Sequence, residues 1–242
     1  MSEADRWRFQ VLLYLLNGTK PIVFRDVKSA PLYKVEKGDP RVAIGAYCLM
    51  SNHFHLLLRE VKEGGISEFM QKLTTAYTMH FNKKNSRVGS LFQGTFKAEH
   101  VDKDEYLKYL YAYIHLNPVK LIDPGWKENG IRDREAAKAY LEKYRWSSYP
   151  DYLGRSREES AILNPSAFPE YFTEPGDFEA YVDDWLMFKQ ENEEAWGNPP
   201  PESPKRGFAI EDGDLDDPDR EPVGAFGKEF KEVLRPDAVS RQ

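Results

Sequence analysis

The chain has 242 residues, 40% hydrophobic and 14% aromatic, with a mean hydropathy of −0.68, enough for one domain with a real core and polar extensions. A single cysteine, Cys48, excludes an internal disulfide, and neither a signal-like apolar stretch nor a run of membrane-spanning length is present, so a cytoplasmic protein is expected. The net charge of −6 speaks against nucleic acid only until it is divided: residues 1–120 hold 18 Lys+Arg and 12 Asp+Glu, a net +6, and the remainder carries −12.

The apolar residues of "WRFQVLLYLLNG" (7–18) show no clean helical stripe, which predicts a first strand ending at the Asn17-Gly18 turn. Residues 27–40 contain Pro31, Gly38 and Pro40 and read as a loop with room for one short helix. "RVAIGAYCLM" (41–50) and "HFHLLLRE" (53–60) are two β-like runs joined through Ser51-Asn52 as an antiparallel pair. Period 2 puts His53, His55, Leu57 and Arg59 on one face of the second run and Phe54, Leu56 and Leu58 on the other. The two imidazoles then stand side by side, about 7 Å apart at the backbone.

Residues 64–85 carry apolar side chains at 66, 69, 70, 73, 76, 77 and 81, a helical stripe with Ser67 as the expected N-cap. Residues 86–102 read as a loop and then a strand. A helix is expected over 103–120, with acids in its first turn and a stop at Asn117-Pro118, and another over 133–146. From about Gly197 the chain becomes Pro-rich and acidic, and disorder is expected, with a short helix in "KEFKEVL". Three regions follow: 1–155 as the main domain, 156–196 as a helical extension, and 197–242 as a tail.

His-x-His alone is a weak motif, equally at home in a satisfied polar strand, a core or an adventitious metal site. Its setting is more informative. The 103–120 helix carries Tyr106, Tyr109, Tyr111 and Tyr113, and Tyr113 shares a face with Asn117 one turn on. Neutral imidazoles ligate divalent cations, an amide oxygen can complete the set, and a nearby phenol can attack a phosphate held there. His115 lies about 200° around the helix from Tyr113 and is not expected to ligate.

"LMSNHFHLLL" resembles the His-hydrophobe-His strand of HUH single-strand endonucleases. "GSLFQGTFKAEHVD", "YLKYLYAYIHLNPVK" and "YRWSSYPDYLG" follow in the order seen in REP-associated tyrosine transposases, within the insertion-sequence-200-like group. The similarity spans about residues 40–155. It implies an α+β fold: an antiparallel, ferredoxin-like or RRM-like sheet of four to five strands with helices mainly on one face. It implies Tyr113 as the nucleophile, with His53, His55 and Asn117 holding a divalent cation such as Mg²⁺ or Mn²⁺. The substrate implied is single-stranded or hairpin DNA, cut through a 5′-phosphotyrosine intermediate. Thr95 departs from the pattern, standing where such proteins often carry arginine. Lys72, Lys83, Lys84, Arg87 and Lys97 are the expected DNA-backbone contacts. A monomer is favoured over a homodimer. Two other functions compete. A histidine-triad nucleotide hydrolase would want a third histidine where Leu57 stands, and a non-catalytic DNA-binding protein would not need Tyr113.

Overall fold

The computed structural model describes residues 1–27, 31–92, 96–191 and 223–229. The chain opens with a helix, α1 (Glu3–Leu15), where a strand is expected from the sequence. Ser2 and Asp5 form a capping box: the Ser2 hydroxyl accepts from the Asp5 N–H at 3.3 Å, and the Asp5 carboxylate accepts from the Ser2 N–H at 2.9 Å. The missing stripe has a physical cause. Phe9, Val11, Leu12, Leu13 and Leu15 are all buried, so α1 is enclosed on most sides and has little polar face to alternate with. Beyond it, Asn17 is a buried clamp: its amide oxygen accepts from the N–H groups of Arg41 and Val42 at 3.1 and 3.0 Å, and its NH₂ donates to the Val42 carbonyl at 2.8 Å. A single turn, α2 (Phe24–Val27), starts the connection that follows.

Strands β1 (Val42–Leu49) and β2 (His53–Glu60) form an antiparallel hairpin, with Cys48 opposite His55 and Leu49 opposite Phe54. A bulge between Ile44 and Ala46 contains Gly45, whose hypothetical Cβ would meet the Phe168 ring at 2.9 Å and Leu57 at 3.1 Å. Only glycine tolerates that approach.

The hairpin is covered on both faces, not mainly on one. β1 is buried along its whole length, the signature of a strand inside two layers. On one face Phe54 packs against Phe9 of α1, with ring centroids 4.8 Å apart. The same side receives α3 (Gly65–Lys84), which buries Phe69, Met70, Leu73, Tyr77 and Phe81. Its N-cap is Gly64 at φ 71°, not Ser67, and the Glu60 carboxylate at the end of β2 accepts from the Ile66 N–H at 3.0 Å. A neighbouring strand thus supplies the cap that Ser67 is too far into the helix to give.

The other face receives α4 (Asp104–Leu116), which follows the short strand β3 (Lys97–His100). Helices α5 (Trp126–Asn129), α6 (Arg134–Lys143), α7 (Tyr149–Tyr152) and α8 (Pro175–Glu191) follow. Phe178 of α8 packs on His115, Tyr149 and Tyr152 at 5.2, 5.4 and 4.9 Å. The backbone of β4 (Val223–Glu229) pairs antiparallel with β2 and with β3, giving the order β1-β2-β4-β3. A strand therefore replaces the start of the expected "KEFKEVL" helix. The remainder of the expected tail lies outside the described residues, as does Thr95. No helix among the described residues is long and apolar enough to cross a membrane.

Candidate active site

Strand alternation sends Phe54 into the core and leaves His53 and His55 half-buried on the opposite face. Their rings lie 4.9 Å apart at 88°. The His53 Nδ1 is 2.8 Å from the Asn52 side-chain oxygen. An amide oxygen only accepts, so Nδ1 carries the proton and the ring's lone pair sits on Nε2. Asn52, a turn residue by sequence, thereby fixes the tautomer that a metal ligand needs.

From the other side α4 brings Tyr113, whose ring centroid is 5.5 Å from that of His55. The contact is made within one chain. The Asn117 side chain is buried one turn further on, and its NH₂ donates to the Tyr113 carbonyl at 2.7 Å. Its oxygen is the atom a cation would use. Burial first, and the Glu99 carboxylate second, push the Tyr113 phenol above its ordinary range. Glu99 in turn accepts a hydrogen bond from the Tyr106 hydroxyl at 2.9 Å. The pattern around β3 gave no sign of this carboxylate, because a lone Glu in a short polar strand reads as a solvated side chain.

The donor set fits a cation in part. Two neutral imidazoles and an amide suit Mg²⁺ or Mn²⁺ less tightly than carboxylates would, and water or a phosphate oxygen would fill the remaining positions. Among the described residues, no group of three or more His, Cys, Asp and Glu side chains comes together to hold a metal.

His115 occupies the opposite side of α4, as helical geometry requires. It is wholly buried, and burial pushes its pKa down to about 3, against the opposing pull of the Tyr111 carbonyl. The neutral ring donates from Nδ1 to that carbonyl at 2.7 Å and accepts at Nε2 from the Ser148 hydroxyl at 2.6 Å. The Ser148 oxygen also accepts from the Tyr47 N–H of β1 at 2.9 Å. This chain of bonds ties α4 to the sheet. Ser148 belongs to the "YRWSSYPDYLG" block of the resemblance.

The five expected DNA contacts divide. Lys72 pairs with Glu68 at 2.9 Å, and Glu68 also pairs with Arg41. Lys84 bonds Asp5 at 2.6 Å and the Ser2 hydroxyl at 3.0 Å, tying the end of α3 to the start of α1. Both lysines make ion pairs within the chain, which a charge run cannot reveal. Lys83 and Lys97 are exposed and Arg87 is half-buried.

Residues 32–117 match the family described as "Transposase IS200 like". No curated protein and no solved structure matches the chain.

Proposed function

We propose, from the match of residues 32–117 to the family described as "Transposase IS200 like", that this protein cuts and rejoins single-stranded DNA through a covalent bond to Tyr113. The observation that carries the reading is the meeting of three rings, with His53 4.9 Å from His55 and His55 5.5 Å from Tyr113. They come from two elements, strand β2 and helix α4. In this reading a ferredoxin-like sheet of four or five strands presents the hairpin as the ligand-bearing part.

His53, His55 and the Asn117 oxygen would hold a divalent cation, which when bound would polarise the scissile phosphate and ease loss of the phenol proton. The chain's own work is positional. Asn52 holds the His53 ring, and α4 holds the Tyr113 ring against that of His55. The Tyr113 oxygen forms a bond to phosphorus as the bond from phosphorus to the 3′ oxygen breaks. The phenol proton passes to water, and the 3′ oxygen takes up a proton to leave as a hydroxyl. A 5′-phosphotyrosine remains, and attack by a 3′-hydroxyl reverses the step. The phosphodiester bond energy is conserved, so no nucleotide cofactor is required. Hairpin-forming repeat DNA is the substrate class that the sequence resemblance favours.

The test is direct. End-labelled stem-loop oligonucleotides are incubated with the protein and Mn²⁺ or Mg²⁺, and a denaturing gel is read for a protein–DNA adduct. Wild-type protein gives the adduct, and Tyr113→Phe gives none while retaining DNA binding. An adduct that persists in Tyr113→Phe, or binding with no adduct under any condition, refutes the assignment. The second outcome would leave a DNA-binding protein without catalysis.

A further inference from the structure

Tyr113 is the last of a row of rings. Tyr106, Tyr109 and Tyr113 occupy positions i, i+3 and i+7 of α4 and so share one face. Successive centroids are 6.0 Å apart, the first pair stacked at 26°, and the row continues to His55 at 5.5 Å. All three tyrosines are half-buried, so none is sealed from solvent. Trp185 of α8 stands against Tyr109 at 4.7 Å and widens the row into a platform. Lysines sit on the same elements: Lys108 of α4 lies over the Tyr181 ring at 5.0 Å, that ring being 6.3 Å from Trp185, and Lys97 is exposed on β3, whose Glu99 accepts from the Tyr106 hydroxyl.

We propose that Tyr106, Tyr109 and Trp185 form a stacking platform for the unpaired bases that flank the scissile phosphate. The proposal rests on the reading of Tyr113 as a nucleophile for single-stranded DNA. Unpaired bases suit the platform because each presents a π-face whatever its identity, and lysines beside the rings suit the phosphates between them. A duplex would not, since its bases are already stacked. The row runs straight into the nucleophile, so a base resting on Tyr109 would draw the adjoining phosphate toward Tyr113. The platform also gives the helical extension a function: α8 supplies one of its rings.

The experiment measures fluorescence anisotropy of a dye-labelled oligothymidine, using the full chain carrying Tyr113→Phe so that no covalent product forms. Tyr109→Leu and Tyr106→Leu each remove a ring and keep the apolar bulk. Tyr109→Phe and Tyr106→Phe keep the ring and remove the hydroxyl. Each Leu variant is expected to bind about 5- to 150-fold more weakly, the range for losing one base–aromatic stack, and each Phe variant within about twofold of the parent. Tyr106 is the less enclosed of the two, so its series stands even if Tyr109→Leu unfolds. Leu variants that bind as well as the parent overturn the platform, as do Phe variants that lose as much as Leu. Either result leaves the adduct assay of Tyr113 untouched. Conversely, a clear Leu–Phe contrast with no adduct from the unmutated chain keeps the platform and removes the nucleophile.

Discussion

Ser148→Ala should unfold the protein far more easily than the loss of one hydroxyl suggests. Ser148, His115 and the Tyr47 ring are all fully buried, so no solvent replaces a lost partner. The hydroxyl serves two groups at once. It donates to His115 Nε2 at 2.6 Å and accepts from the Tyr47 N–H at 2.9 Å. His115 cannot compensate by turning, because its Nδ1–H is committed to the Tyr111 carbonyl at 2.7 Å. Alanine therefore orphans one buried donor and one buried acceptor, each worth about 1–3 kcal/mol, for a total of about 2–6 kcal/mol. Urea unfolding at neutral pH, followed by tryptophan fluorescence, reads this as a lower midpoint at unchanged slope. His115→Phe removes the acceptor in advance and lets the serine hydroxyl turn to the Tyr47 carbonyl, 3.3 Å away. In that background Ser148→Ala should cost about 1–3 kcal/mol less, a coupling that a double-mutant cycle measures. A cost below about 1 kcal/mol for Ser148→Ala, or additive single changes, would refute the account of this hydrogen-bond chain.

Asn52→Ala should weaken Mn²⁺ binding about 10- to 100-fold in calorimetric titration, because the His53 ring loses the partner that fixes its tautomer. Gly45→Val should lower stability by about 1–3 kcal/mol in the same urea assay, since its Cβ would meet the Phe168 ring and Leu57. Burial alone would raise the Asp5 carboxyl, but its bonds to Lys84 and Ser2 outweigh that and hold its pKa below the ordinary value. The stability this contributes is present above the ordinary aspartate pKa near 3.9 and is lost as pH falls through the lower folded value. Asp5→Asn should accordingly be less stable than wild type at neutral pH, with the gap closing in strong acid.

The β1–β2 hairpin was legible because alternation in "HFHLLLRE" survives half-burial, and α3 and α4 because each keeps one polar side. The same periodicities gave the pairing of His53 with His55 and placed Tyr113 away from His115. α1 was misread for the reverse reason. Enclosure erases amphipathicity, and the remaining signal was the capping box of Ser2 and Asp5, two residues upstream of any apolar pattern. Coverage of both sheet faces was likewise hidden, since it depends on Phe168 and α4 arriving from far along the chain. Asn52, Glu99 and Ser148 act on partners that only the tertiary fold supplies. The ion pairs of Lys72 and Lys84, expected from the sequence as DNA contacts, were hidden because their acidic partners lie, respectively, one turn away on a crowded helix and at the far N-terminus.

The reach of Tyr113 to the histidine of its own chain has a consequence for mixtures. Every molecule would own a full set of parts, so a preparation of Tyr113→Phe blended with one of His55→Ala should stay inert. Restored turnover in the blend would instead mean that two molecules exchange these helices while they work.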